Sequence, residues 1–440
     1  MEWWLILLIL LGGMMVLFFT GMPIAMGLLI MTIIGIVMFW GGWNFQTFQM
    51  LTVNIRESTT LFVMLPLPLF ILIGELLFRT GIATNLLDAL ANWMGRIPGR
   101  LSLLAMITGT LFATMTGMAM ASTAMLGEML VPEMIKRGYK NDLIMGPIMG
   151  AGTLAPMIPP SAAAIFIGVI AQISIGRMLI ASIVPGLLMA AVFFVYILIR
   201  CLINPSLAPK YEAPRLSLSK KLKDSAYYIL PLGLVVFLVT GVIMLGIASP
   251  SEAAATGAVG ALLLTVFYRK LKWGIYKSAI LGTIELSTSL FLILMTAVTF
   301  SQVLAISGAS PGLAKMIIGL HLPPLAIIAA MQILIMILGC FIAQNALTMI
   351  FIPLFIPIVK TLGFDPVWFC VMFLVNCELG NFTPPFGTSL FVMKVVGPKN
   401  VTMGEIIHSA VPFIIMITGI IFLIMFVPSI ALWLPSIAMK

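Results

Sequence analysis

Residues 376–389 read NCELGNFTPPFGTS and gather oxygen-bearing side chains in a chain that is almost wholly apolar on either side. Asn376, Asn381, Thr383, Thr388 and Ser389 offer amide and hydroxyl oxygens and Glu378 a carboxylate, ligands that suit a hard cation such as Na⁺. The pair Pro384-Pro385 adds a second property. Proline lacks a backbone donor and clashes with the preceding turn, so a helix breaks there and leaves carbonyls free. In hydrocarbon such a break persists only when it is buried against protein or lines a polar cavity. GTLAPMIPPS (152–161) has the same form. Two breaks that face one another would set exposed carbonyls beside half-helix N-termini and hold a cation and an anion together.

The remaining sequence must carry these breaks at bilayer depth. Its 440 residues are 62% hydrophobic and only 8% charged, with a mean hydropathy of +1.20, more apolar surface than one soluble core can hide. The chain therefore reads as an all-α polytopic membrane protein. Runs of about 20 residues, enough to cross a bilayer, fall near 3–20, 23–42, 58–78, 141–172, 174–200, 226–247, 252–268, 281–306, 366–396 and 404–436. MEWWLILLIL has no basic n-region and no convincing cleavage site, so it reads as the first membrane helix and not as a signal peptide. Cys201, Cys340, Cys370 and Cys377 lack metal-type spacing and read as buried thiols. A membrane enzyme would need His, Asp or Glu clustered at depth, and Glu378 alone is clearly there. Neither an enzyme nor a nucleic-acid-binding protein is expected.

The chain repeats itself. At an offset of 225, Thr123 falls on Thr348, Pro132 on Pro357, Gly138-Tyr139 on Gly363-Phe364 and Pro159-Pro160 on Pro384-Pro385. With a drift of two residues, Pro23 meets Pro250, Gly81 meets Gly308, Ser182 meets Ser409 and Pro185 meets Pro412. Two repeats, 1–204 and 226–440, joined by a polar cytoplasmic linker at 205–225, account for the series. The stretches 101–135 and 322–359 are long for one span and short for two. Charge decides between the readings. If both are re-entrant hairpins and the N-terminus lies outside, 18 lysines and arginines fall on one side and 5 on the other, which makes the first side cytoplasmic and both termini periplasmic. Each half then has five crossings, and the second repeat is inverted. The hairpin tips are TGMAMAST (116–123) and GCFIAQNALT (339–348), and each is followed by its broken helix, near 141–172 and 366–396.

GTLAPMIPPS and CELGNFTPPFG, together with GIASPSEAAATGAVGALL (246–263) and TGMPIAMGLL (20–29), resemble the large membrane subunit of tripartite ATP-independent periplasmic (TRAP) transporters, in order and over essentially the whole chain. That resemblance implies a transport domain of two hairpins and two broken helices, moving in an elevator-like way on a scaffold of the other helices. It implies a small four-helix membrane subunit and a periplasmic substrate-binding protein as partners, and a place in the bacterial or archaeal cytoplasmic (inner) membrane. The activity implied is Na⁺-coupled symport of an organic acid, a C4-dicarboxylate, sialic acid or a related carboxylate, with Na⁺ as coupling ion and no other cofactor. A stand-alone ion-coupled carboxylate carrier of the same architecture is the alternative. Two departures stand out. The family's serine-rich first tip has become Thr116, Gly117 and Ser122 with methionines between, and the acidic residue often found after G-x-F in the second hairpin is replaced by Ala343, Gln344 and Asn345.

The cation set expected on this basis is Thr116, Gly117, Ser122, Gly152, Thr153, Pro156, Gly339, Gln344, Asn345, Asn376, Gly380, Thr383 and Gly387. The substrate set is Pro159, Pro160, Ser161, Asn381, Pro384, Pro385, Thr388 and Ser389. Three roles stay open for Glu378: acceptor for backbone amides of the unwound segment, electrostatic contributor to the cation site, or proton-coupling group.

Overall fold

The computed structural model describes residues 2–39, 42, 44, 45, 49, 52, 53, 55, 56, 64–95, 97–117, 119–209, 217–270 and 272–438. Among the described residues all regular structure is helical, as the sequence leads one to expect. The first half runs α1 Trp3–Phe19, α2 Ile24–Phe39, α3 Pro66–Arg79, α4 Ile82–Trp93, α5 Arg100–Thr116, α6 Ala119–Lys136, α7 Asn141–Thr153, α8 Ala162–Ile170 and α9 Ile175–Ile203. The second runs α10 Leu218–Met244, α11 Pro250–Phe267, α12 Trp273–Ile306, α13 Ala309–Gly319, α14 Pro324–Gly339, α15 Gln344–Thr361, α16 Pro366–Phe382, α17 Thr388–Val396, α18 Met403–Phe426 and α19 Ser429–Ala438. Six of these, α9, α10, α11, α12, α15 and α18, are long and apolar enough to cross a membrane.

Local chemistry sets the helix ends. Reciprocal Ser249–Glu252 and Thr402–Glu405 capping boxes start α11 and α18. Asp365 caps α16 by accepting from Val367 N at 2.7 Å, with Pro366 at the first helical position. The Gly-aromatic pair that the repeat alignment matched has a shared purpose. Gly138 and Gly363 sit at φ of 75° and 80°, a region only glycine enters freely. Beyond each, Tyr139 N donates to Met134 O and Phe364 N to Val359 O, so α6 and α15 close in the same way.

Several boundaries differ from the sequence expectation. Within the polar stretch 205–225 the chain is already helical from Leu218, because the Ser217 hydroxyl accepts from Lys220 N and starts α10 there. The run near 404–436 is two helices, since Pro428 holds Val427 out of the α region. The amphipathic helices α4 and α13 were not anticipated. Residues 40, 41 and 58–63 of the expected spans, and Arg96, Lys210, Arg215 and Lys440 of the charge split, lie outside the described residues.

The core is formed by the two helices that lead into the proline breaks. Every residue of α7 from Leu143 to Thr153 is buried, as is every residue of α16 from Val367 to Gly380. Around them pack α5, α6, α14, α15, α18 and α9, while α2, α3, α10, α11 and α12 pack mainly among themselves as an outer layer. Outward faces carry exposed Val195, Leu263, Ile284 and Ile415, as lipid contact allows. Two ion pairs mark where the central helices begin. Arg177, near the start of α9, lies 3.0 Å from Asp365, which caps α16, whereas Arg200, near the end of α9, lies 3.7 Å from Asp142 at the start of α7. The two buried helices therefore enter the molecule from opposite ends of α9.

Candidate functional site

Each helical hairpin lays its tip on the proline break of its own half. Between α5 and α6, Gly117 approaches the first break so closely that a Cβ there would stand 3.1 Å from Pro160 O and 3.5 Å from Ala162 N. Between α14 and α15, Cys340 O accepts a bond from Phe386 N at 3.3 Å, across the second break. Glycines permit the contact behind each tip. A Cβ on Gly380 would meet the backbone oxygen of Gly339 at 2.7 Å, and one on Gly152 would lie 2.0 Å from Thr123 Oγ1.

This stacking brings four helix starts to one cavity of about 200 Å³. Ala119 of α6, Ala162 and Ala163 of α8, Gln344 and Asn345 of α15, and Thr388 of α17 all line it, with Gly117, Met120, Pro156, Phe166, Ala343 and Asn381. Leu290 of α12 closes it from the outer layer. A neighbouring cavity of about 240 Å³ shares Gly117, Met120, Ala162, Leu290 and Asn345, and runs on between Phe70, Ile71, Leu286, Ser289 and Ile293. No lysine, arginine or histidine lines either cavity among the described residues. Positive potential comes instead from the helices, each of which carries about half an elementary charge at its N-terminus. The α8 start is capped by Ser161, which accepts from Ala164 N and donates to Pro156 O. The starts of α15 and α17, at Ala343 and Gly387, carry no side-chain cap, so their first N–H groups remain available to an anion.

The lining obeys the 225-residue repeat, and its polarity does not. Four lining pairs are related by that offset: Ala119 with Gln344, Met120 with Asn345, Pro156 with Asn381, and Ala163 with Thr388. In each pair the first-half residue is apolar and the second-half residue is polar.

Behind the polar side lies Glu378, fully buried. Asn381 Nδ2 makes long contacts to Glu378 Oε2 (3.5 Å) and Gln344 Oε1 (3.4 Å), and Thr388 Oγ1 donates to Asn381 Oδ1 at 3.2 Å. Glu378 Oε1 has no hydrogen-bond partner among the described residues, and neither do Ser389 Oγ and Thr123 Oγ1. A carboxylate oxygen buried without a protein donor calls for a cation, a proton or a water.

Of the residues expected from sequence, Gly117, Pro156, Gln344, Asn345, Asn381 and Thr388 meet in the first cavity, and Pro160 lines the second. Others are engaged elsewhere. Asn376 donates to Gln332 O (2.7 Å) and Oε1 (3.0 Å), tying α16 to α14. Thr153 and Thr383 donate back to Gly150 O and Leu379 O within their own helix ends. Pro159 O accepts from Thr240 of α10. Ser122 and Ser389 are fully buried, whereas Pro385 is exposed in the second break. Gly387 fits against Thr383 O, where a Cβ would sit at 2.8 Å. Pro384, like Pro159, begins a cis proline pair. The side chain of Thr116 lies outside the described ones. Sequence reasoning missed the apolar lining, Ala119, Met120, Ala162, Ala163, Phe166 and Leu290. For the last of these a signal existed, the polar run Ser287-Thr288-Ser289 inside an otherwise apolar helix.

A family model described as the DctM component of the tripartite ATP-independent periplasmic transporter matches residues 11–430. The C4-dicarboxylate TRAP transporter large permease protein DctM of Pseudomonas aeruginosa is 30% identical over 389 residues, 88% of this chain and 89% of the relative. The sialic acid TRAP transporter large permease protein SiaM of Vibrio cholerae is 28% identical over 428 residues, 97% of each chain. Among solved structures, the YdaH transporter of Alcanivorax borkumensis superposes with a TM-score of 0.64 at 16% identity, over 89% of this chain and 90% of that one.

Proposed function

The chain belongs to the DctM family of TRAP transporter large permease subunits, and from that premise we propose that it carries out Na⁺-coupled uptake of an organic acid by an elevator mechanism. The single observation that carries this reading is the cavity on which four helix starts converge without a basic side chain. Helix N-termini and neutral amides can bind a carboxylate and still release it. The buried Glu378 beside them would repel that carboxylate unless a cation stood between, which is a direct physical reason for coupling to Na⁺. Glu378 Oε1, Ser389 Oγ and the carbonyls of the second break are the oxygens we assign to it.

The transport domain in this reading is the two hairpins and two broken helices, α5–α8 and α14–α17, with the remaining helices as scaffold. An inverted relation between 1–204 and 226–440 is supported by the entry of α7 and α16 from opposite ends of α9. Although α15 has the length and apolarity to cross a bilayer, its first residues lie at the cavity, which favours the hairpin reading. The N- and C-termini are then periplasmic, and the partners are a small four-helix subunit and a periplasmic binding protein that delivers the acid.

The test is thermal unfolding of the purified chain in NaCl against KCl at equal ionic strength. Sodium is expected to raise the midpoint. Glu378→Gln, which keeps an acceptor oxygen and loses the charge, should need about tenfold more sodium for the same rise, as for loss of a hydrogen-bonded charge. Equal midpoints in the two salts for the wild type would remove sodium coupling. A proton role for Glu378 is favoured by the same unpartnered oxygen, and would appear as uptake that responds to an imposed pH gradient at fixed Na⁺ and loses that response in Glu378→Gln.

A further inference from the structure

The four lining pairs carry more than the presence of a carboxylate site. At each offset-related position the second half supplies an amide or hydroxyl and the first half supplies alanine, methionine or proline. Helix caps follow the same division: the α8 start is closed by its own Ser161, while those of α15 and α17 have no side-chain cap. The cavity is thus a two-faced chamber. Its polar face offers amides and a hydroxyl to a carboxylate, and its other face continues past Leu290 into the second cavity, which is lined mainly by Phe70, Ile71, Leu286 and Ile293 with Ser289 among them.

We infer that the transported acid is amphiphilic, an aliphatic monocarboxylate whose anionic end meets Gln344, Asn345, Asn381 and Thr388 and whose apolar body lies along Met120, Phe166 and Leu290. The inference rests on the carboxylate reading of this chamber and narrows it. An α,ω-dicarboxylate of the same length would bring its second carboxylate among Met120, Phe166 and Leu290, where Ser289 is the one hydroxyl lining the second cavity among the described residues, and a charge stripped of water with so few partners is disfavoured. Specificity of this kind comes from what the wall withholds as much as from what it offers.

The experiment compares two five-carbon acids, pentanoate and glutarate, as sodium salts at constant total Na⁺, by the concentration of each that stabilises the purified chain against thermal unfolding. Pentanoate is expected to act at a concentration at least tenfold lower. Equal or better stabilisation by glutarate overturns the inference while leaving the carboxylate site standing. If neither acid stabilises the sodium-loaded chain, the carboxylate reading itself falls, and this inference with it. Met120→Asn gives the first half the residue its repeat partner carries, and should raise the effect of glutarate until the two acids differ by threefold or less. An unchanged ratio in folded Met120→Asn would remove the discrimination from this wall. Should that variant not fold, Ala119→Gln makes the same exchange one residue earlier, and the wild-type comparison stands on its own.

Discussion

The two halves differ least in their backbones and most in what they present to the cavity. Both have a hairpin whose second helix ends on a left-handed glycine before an aromatic residue, and both have a cis proline pair in the break. Yet the first break is buried throughout from Leu154 to Ser161, whereas the second exposes Pro385 and Phe386. The hairpin contacts diverge as well: Gly152 faces a threonine side chain, Gly380 faces backbone. Fold and chemistry are therefore written in different residues. Prolines and glycines hold the shared geometry, and a handful of side chains on the helix starts divide the labour between a polar and an apolar wall.

Paired substitutions test that division. The largest contrast is expected at the offset-related positions Asn381 and Pro156. Asn381→Ala removes the amide that links Glu378, Gln344 and Thr388, and should raise the acid concentration needed for thermal stabilisation by about 30-fold, on the order of 2 kcal/mol for a hydrogen bond to a charged group. Pro156→Ala loses only packing against a ligand, and a change within about threefold is expected. Comparable losses at both positions would mean that the walls are not functionally distinct.

A smaller contrast lies in stability. Gly380→Ala forces a methyl onto the Gly339 backbone and is expected to lower unfolding stability by about 2 kcal/mol, within the usual range for overpacking. Gly152→Ala meets Thr123 Oγ1, so adding Thr123→Ala should restore most of its midpoint. Failure of that rescue would show that Ala119 O, which a Cβ would approach to 3.0 Å, sets the limit in the first half too. The smallest effects belong to the ion pairs at the two ends of α9. Arg177→Ala and Arg200→Ala act on partly exposed pairs, and each should change stability by less than about 1 kcal/mol, and by less still in high salt. A larger loss would make these pairs anchors of helix entry and not merely reporters of it.

Much of this was legible in the sequence because it depends on residues with few alternatives. A proline pair inside an apolar run announces a break, and the Gly138-Tyr139 and Gly363-Phe364 matches that pointed to the repeat close α6 and α15 in the same way. The polar side of the cavity was legible too, since Gln344, Asn345, Asn381 and Thr388 are conspicuous among apolar neighbours. Its other side was not. Ala119, Ala163, Phe166 and Leu290 look like core, and only tertiary packing makes them a wall. Asn376 and Thr383 show a further ambiguity, because a polar side chain in an apolar helix serves backbone carbonyls as readily as a ligand: Asn376 Nδ2 donates to Gln332 O and Thr383 Oγ1 to Leu379 O. The helix α4 was hidden by brevity, lying between runs read for their length.

The contact between Gly339 and Gly380 has a mechanical consequence. Where side chains interdigitate, helices can slide by exchanging rotamers, and each exchange is a small step. Here two main chains touch with no rotamers between them, so no graded shear is available at that point and no side-chain entropy is released by loosening it. The second hairpin and the second broken helix are clamped as one stiff part. Any displacement of α16 relative to the rest of the molecule must carry α14 with it, with the give placed outside that joint.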